Sequence, residues 1–317
     1  ETTILWIIMH LLLSSGDIEQ NPGPYDNCAA LNQDLHESSL NSLDQFLEKS
    51  ITLVHLNVQS VSNKIDIIQA EFGGFDIITL NETWLDYNTD SEELIIQGFL
   101  EPMRRDRGDN RYGGVMIYVN SNIVCKRRTD LEVTQVECIW VECIIYKKKF
   151  LIGTFYRRPN SETEKWNLIA YSMEKAKDTN ISNIIITGDF NDNLNNLRTS
   201  KINDIIKDLG MTQLITDPTH FTENSETLLD LLIVNNIENI VFSGVGDNIL
   251  PSNTGYHCPI YCVLKLPKLY VELSLEMFGH FRKPTFMIIK FAYINKIWIC
   301  KSLMKSIKLV TKLQIKY

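Results

Sequence analysis

No Cys-x-x-Cys pair occurs among the seven cysteines of this 317-residue chain, and neither Cys138/Cys143 nor Cys258/Cys262 has the spacing of zinc ligands. The cysteines read instead as reduced thiols in buried strands, which points to cytoplasm or nucleus. No apolar run reaches the roughly 18 residues that a membrane span requires, so no membrane partner is expected. No internal repeat is visible. No Tyr-x-Asp-Asp string occurs, so these residues include no polymerase segment. Positive charge is scarce except at one end. Residues 268–317 carry ten lysines and arginines against two acids, Glu272 and Glu276, a local +8. The remainder, with 21 basic and 37 acidic residues, stands at −16 within the overall −8. An acidic body does not advertise nucleic-acid binding, because phosphate contacts come from Lys and Arg. Any such activity must rest on a local patch and on metal.

The first residue is Glu1, so the natural start is expected to be missing. Residues 4–13 form a short apolar run that, taken alone, reads as a secretory h-region. Gly16-Asp17-Ile18-Glu19-Gln20-Asn21-Pro22-Gly23-Pro24 follows, and it resembles a 2A-type ribosome-skipping peptide. That resemblance implies a ribosome partner during synthesis and a Gly23–Pro24 bond that is never made. The mature chain would then begin at Pro24 in cytoplasm or nucleus; an attached leader would permit secretory routing. A turn-rich linker would show the same Asn-Pro-Gly-Pro grammar. Residues 24–50 are polar and read as a linker. From 51 to 267 the pattern is that of a folded domain, and residues 268–317 form a basic tail without clear period.

Within the domain, strands are predicted at 51–57, 75–80, 114–119, 136–146, 150–156, 183–187, 229–234, 240–245 and 260–266. Ser161-Glu162-Thr163-Glu164 reads as a capping box before a helix with Trp166, Ile169, Ala170 and Met173 on one face. A second helix is predicted over 201–209, closed by Gly210. Many strands and few helices imply an α/β architecture of two packed sheets with helices outside.

Several strands end on polar residues, where a rigid frame exposes a side chain. Asn57 ends the first, Glu82 follows the second, and Tyr156-Arg157-Arg158 ends another. Thr187-Gly188-Asp189-Phe190-Asn191 follows a run of aliphatics, and Asp230 and His257 come late in the chain. Phosphodiester hydrolysis needs a hard cation, a base for water and donors for the phosphorane oxygens. Mg²⁺ takes one or two carboxylates and keeps waters, so its ligands can be scattered in this way. Each string alone reads more readily as a turn, a structural histidine or a solvated arginine pair.

Together, and in this order, they resemble the endonuclease/exonuclease/phosphatase superfamily across about residues 51–266, chiefly through Thr187–Asn191. Asn57…Ser60…Asn63-Lys64, Glu82-Thr83-Trp84, Arg105-Asp106-Arg107…Gly113-Gly114 and Tyr156-Arg157-Arg158-Pro159 are similar to the apurinic-type endonuclease of non-LTR retrotransposons. The resemblance implies a four-layer, DNase I-like sandwich of two mixed β-sheets flanked by helices, acting as a monomer on DNA with Mg²⁺ or Mn²⁺. It implies strand nicking for target-primed reverse transcription. Carried over residue by residue, Glu82 and Asn57 are metal ligands, Asp189 holds or deprotonates water, and Asn191 orients Asp189. His257, fixed by Asp230, donates to a phosphate oxygen, as does Tyr156. Arg104, Arg105, Arg107, Arg111, Arg157 and Arg158 are backbone-contacting cations. The family carries an acid immediately before the histidine, whereas this chain has Tyr256. A neutral phenol there is expected to lower the His257 pKa relative to the family and weaken cation binding. The rival readings are therefore an impaired nucleic-acid-binding relic, or a phosphatase of small phosphorylated molecules on the same fold.

Overall fold

The aliphatic runs of the domain assemble into two six-stranded mixed sheets. In the first, β13 (Ile240–Val245), β15 (Ile260–Leu264), β1 (Ile51–Asn57), β2 (Ile77–Asn81), β4 (Val115–Val119) and β3 (Met103–Arg105) lie side by side in that order. In the second the order is β5 (Val124–Arg127), β6 (Glu137–Ile145), β7 (Lys148–Tyr156), β8 (Ile184–Asp189), β12 (Asp230–Val234) and β9 (Thr212–Gln213). Each sheet contains a parallel pair, β1–β2 and β7–β8, connected through a helix, as parallel neighbours require. The helices are α1 (Ile65–Phe72) and α2 (Glu164–Lys177), and α3 (Lys201–Asp208) follows β8. A small third sheet joins β11 (Glu226–Thr227), β10 (His220–Phe221) and β14 (Tyr256–His257). This computed structural model describes residues 50–108, 112–196, 198–250 and 255–264. The 2A-like segment with Gly23 and Pro24, the linker, Arg111 and the basic tail lie outside the described residues. Of the two compact units of the chain, Glu1–Ile51 and Thr52–Tyr317, nearly all described residues belong to the second.

Period-two alternation decides what each face of β1 and β2 does. Val54, Leu56, Ile78 and Leu80 point outward and bury Ile68 and Phe72 of α1, with Met116, Tyr118 and Tyr261. The opposite parity, His55, Asn57, Thr79 and Asn81, faces the second sheet and is buried. The seam between the sheets is therefore partly polar, and its groups pair across it. Thr79 Oγ1 lies 2.9 Å from Thr187 Oγ1, and the Asn81 amide donates to the Phe155 carbonyl at 2.5 Å. On the outer face of the second sheet, Ser172 of α2 accepts from the Trp140 indole at 3.0 Å. Among the described residues no helix is long and apolar enough to cross a membrane.

The two-sheet α/β architecture matches the expectation, with local differences. The strand expected at 75–80 starts at Ile77, because Phe75 turns away to pack edge-on against Phe72. The strand expected from Phe150 starts at Lys148. Tyr146 and Lys147, both at positive φ, make a two-residue hairpin without the Asn or Gly that usually marks one. The capping box does not form: the α2 N-cap is Thr163 in helical conformation without a side-chain cap bond, and the Ser161 hydroxyl has no partner. Ala170 is only half-buried, and Ser172 and Ala176 complete the buried face instead. At α3 the reading holds. Ser200 caps Asn203, and Gly210 at φ +59 ends the helix with Gly210 N–H on Lys207 and Met211 N–H on Ile206.

Candidate active site

Strand register gathers the polar strand ends. Asp189 is paired directly with Tyr156 on one side and Asp230 on the other, so three neighbouring strands present a phenol and two carboxyls in a row. Gly188 permits this arrangement: a Cβ there would stand 2.1 Å from the Phe155 carbonyl oxygen. Asn57 ends the facing strand of the first sheet and reaches across the seam. Its amide donates to Asp189 Oδ2 at 2.9 Å and Glu82 Oε1 at 3.1 Å, and its Oδ1 accepts from Gln59 N–H at 3.2 Å.

Glu82 follows β2 in a left-handed conformation, φ +52, as does Trp84 at φ +55. Gln59, Ser60 and Asn191 also have positive φ, so five non-glycine residues around the site hold a backbone shape that costs energy. Neighbouring strands enforce it: Ser60 N–H bonds the Glu82 carbonyl at 2.8 Å and Trp84 N–H the Gly113 carbonyl at 2.8 Å. Gly114, at φ +89, lets Thr83 close in, since a Cβ there would meet Thr83 Oγ1 at 2.5 Å. The Glu82 carboxylate is thus clamped. Oε1 accepts from the Tyr156 hydroxyl at 2.9 Å and from Asn57, and Oε2 from the Trp84 indole at 3.1 Å.

Asp189 is braced by its own loop. Asn191 donates its backbone N–H to Oδ1 at 2.9 Å and its amide to Oδ2 at 3.2 Å, while bonding the Arg157 carbonyl at 2.8 Å. Burial, then the Asp230 charge, push the Asp189 pKa up to about 7, against the pull of His257 and the hydrogen bonds. For Asp230 the balance is opposite: burial is outweighed by His257 and His55, and its carboxyl stays well below the ordinary range. His257 donates Nδ1–H to Asp230 Oδ2 at 2.8 Å. Burial lowers its pKa, but Asp230, with Asp189 and Glu82, prevails and raises it to about 9. Tyr156 is held well above the usual phenol range by burial and by the Glu82 and Asp189 charges.

Five of the expected centre residues, Asn57, Glu82, Tyr156, Asp189 and Asn191, are therefore linked by hydrogen bonds, and the bonded pair Asp230–His257 lies beside them, with ligand atoms within 4.8 Å of Asp189. The arginines are placed differently. Arg157 stacks on Trp166 at 4.3 Å and donates to the carbonyls of Phe190, Asn191 and Ser161, bracing the Asp189 loop. Arg105 bonds the carbonyls of Val133 and Thr134, Arg107 bonds Glu137, and Arg104 bonds Asp106. Arg158 alone of the described set is exposed with its guanidinium unengaged. Tyr256 stacks on Phe221 with centroids 5.4 Å apart. Sequence reasoning missed two histidines. His55 shares the inward face with Asn57, and His220 pairs in register with His257, ring centroids 4.5 Å apart. Strand parity was the available signal for His55; His220 lies on a two-residue strand with no such signal.

The donor set suits a hard divalent cation. It offers carboxylate and amide oxygens, carries surplus negative charge and has no soft ligand. Asp189, Asp230 and His257 also each place a ligand atom within 4.8 Å of the others, a group able to hold a metal ion.

Two facing mixed sheets with this site at their strand ends define a DNase I-like protein. The sequence profile of the endonuclease/exonuclease/phosphatase family matches residues 54–257, and the chain belongs to that family. Among solved structures it is similar to the endonuclease domain of TRAS1, a telomere-specific non-LTR retrotransposon, at 14% identity and TM-score 0.55, covering 69% of this chain and 100% of that one. It is also similar to the AP endonuclease LMAP of Leishmania major, at 11% identity and TM-score 0.56, covering 69% and 88%. A third is the 3′ phosphatase NExo from Neisseria, bound to a product DNA hairpin, at 14% identity and TM-score 0.52, covering 68% and 100%. No curated protein matches the sequence significantly.

Proposed function

We propose that residues 51–267 form a Mg²⁺- or Mn²⁺-dependent endonuclease that hydrolyses DNA phosphodiester bonds, nicking one strand to prime reverse transcription. The observation that carries this reading is the clamped pair of Glu82 and Asp189, joined through the Asn57 amide, with the Asp230-held imidazole of His257 alongside. Glu82 and Asn57 hold the cation, which when bound supplies positive charge against the phosphate oxygens. Asp189, with a pKa near neutrality and two donors from Asn191 fixing its plane, accepts the proton of the attacking water. His257 has Nδ1 committed to Asp230, so it offers Nε2–H to a phosphate oxygen. Tyr156 donates to Glu82, and a phosphate contact requires that hydroxyl to turn. Among the described arginines expected to meet DNA, Arg158 is the one with a free guanidinium for the backbone. The DNA hairpin bound by NExo and the retrotransposon origin of TRAS1 favour DNA over small phosphorylated molecules.

The purified chain is expected to nick supercoiled plasmid with Mg²⁺ and to spare inositol phosphates. Asp189→Ala should lower the rate by about 10²- to 10⁴-fold. Nicking that survives both EDTA and this substitution would sink the assignment. Tyr256 favours a second reading, an impaired DNA-binding relic; nicking that appears only after Tyr256→Asp would establish it. We further infer that residues 16–24 release the domain at Gly23–Pro24 during translation. Cell-free synthesis with a reporter placed after Pro24 should yield two products; a fused product alone argues against skipping.

A further inference from the structure

Asp230 has two carboxylate oxygens, and one of them is hydrogen-bonded. Oδ2 receives Nδ1–H of His257, whereas Oδ1 is sealed from solvent without a partner. Facing Oδ1 at 3.6 Å is Nε2 of His55, equally unpartnered, and both side chains are 0% exposed. Leaving a buried carboxylate oxygen without a donor is unfavourable, so the polarity of the surrounding bonds matters.

The other ring nitrogen of His55, Nδ1, lies 3.1 Å from Thr79 Oγ1. That hydroxyl is 2.9 Å from Thr187 Oγ1 and 3.2 Å from the Val54 carbonyl. Each hydroxyl has a single proton. If Thr79 donates to Val54, His55 must donate from Nδ1, and its neutral ring turns a bare lone pair onto Asp230. If Thr187 donates to Thr79, and Thr79 to His55 Nδ1, the ring carries its proton on Nε2 and aims it at Asp230. For a neutral His55 ring, only the second polarity offers both oxygens of Asp230 a donor; it withdraws the Thr79 proton from the Val54 carbonyl and the Thr187 proton from the Gly153 carbonyl, 3.5 Å away.

We propose that His55 is a positioning residue: as its Nε2–H tautomer it holds Asp230 from the side opposite His257 and thereby fixes the His257 ring. The relay runs Thr187, Thr79, His55, Asp230, His257, and it crosses between the two sheets. A shift of about half an ångström brings the 3.6 Å approach of His55 to Asp230 within hydrogen-bond range. His55 and Asn57 share one inward face and Thr187 and Asp189 another, so the strands that present the centre also carry its support. Without His55, Asp230 is free to turn and His257 loses its orientation.

This inference rests on the proposed nuclease reading for its kinetic arm only. In ¹⁵N-histidine NMR of the full chain at neutral pH, His55 should show a protonated Nε2 and an unprotonated Nδ1. The reverse tautomer, or a ring protonated on both nitrogens, overturns the proposal whether or not the chain nicks DNA. In nicking assays His55→Leu should lower kcat roughly 10- to 100-fold with little change in KM. His55→Gln, whose amide supplies a donor of similar reach, should restore most of that loss. A His55→Gln protein that folds but is as slow as His55→Leu, or a folded His55→Leu protein with normal kcat, counts against it. Should His55→Leu fail to fold, the tautomer and the His55→Gln rate decide.

Discussion

At the scale of single residues, the site is built by restraining carboxylates rather than by accumulating cations. Glu82 has its backbone in a left-handed turn and its two oxygens held by three donors. Removing one donor without changing shape tests how much that restraint matters. Tyr156→Phe keeps the ring that lies 5.5 Å from the Arg107 guanidinium and deletes only the hydroxyl. It should lower Mg²⁺-dependent nicking roughly 10- to 100-fold, the range seen when a ligand's supporting bond is lost. Higher Mg²⁺ should recover part of the rate if Tyr156 serves the cation through Glu82. A deficit that Mg²⁺ leaves untouched would show that the phenol acts on the phosphate. The seven centre residues were picked out by the order of their strings through the family resemblance, since each string alone reads as a turn or a structural hydrogen bonder. His55 was not, because a lone histidine on the inward face of a strand looks like any buried histidine until the opposite sheet supplies Asp230.

At the scale of elements, long strands and the Gly-terminated α3 were readable, since burial on both faces and a C-terminal glycine leave traces in the sequence; the Ser200 cap was found in the structure. The two-residue strands β9, β10, β11 and β14 were not, because no period can be read from two residues. The outer end of β6 shows how much of the fold's charge is engaged locally. Glu142, 4% exposed, is met by Arg128 at 2.8 Å, Lys149 at 3.0 Å and Lys126 at 3.6 Å. The Lys149 hydrogen bond, opposed by burial and aided by Arg128, holds its carboxyl below the ordinary value. A depressed folded pKa means stability that is present above the unfolded value, about 4.3, and lost as pH falls through the folded one. Glu142→Gln should cost about 1 kcal/mol at pH 7, a small figure because both lysines are more than half exposed. In urea melts the gap to the parent chain should narrow as pH falls below about 4.3 and close once pH is under the folded value. A gap that does not narrow as pH falls below about 4 would mean the loss is one of packing rather than charge.

At the scale of the molecule, charge and function pull against each other. The body before residue 268 carries −16, and Arg104, Arg105, Arg107 and Arg157 are all engaged within the protein. They reinforce loops around the centre, and meeting phosphates as the sequence reading expects requires them to share or release these partners. Each phosphate neutralised adds about −0.9 to the slope of log K against log salt. With Arg158 the one exposed, unengaged arginine among the described residues expected to meet DNA, and a bound divalent ion beside Glu82, a chain ending at Pro267 should show a shallow slope, between about −1 and −3. The ten lysines and arginines of residues 268–317 provide the contrast, and the full chain should fall more steeply with salt if they reach the backbone. Fluorescence anisotropy with a short duplex in Ca²⁺, which occupies hard-oxygen sites, measures both slopes. A slope steeper than about −5 for the shortened chain would require the internally paired arginines to release their partners and turn to DNA. The Arg107–Glu137 pair is the place to look, because Glu137 also holds the Gly114 N–H behind Thr83, and freeing Arg107 would loosen the turn that positions Glu82.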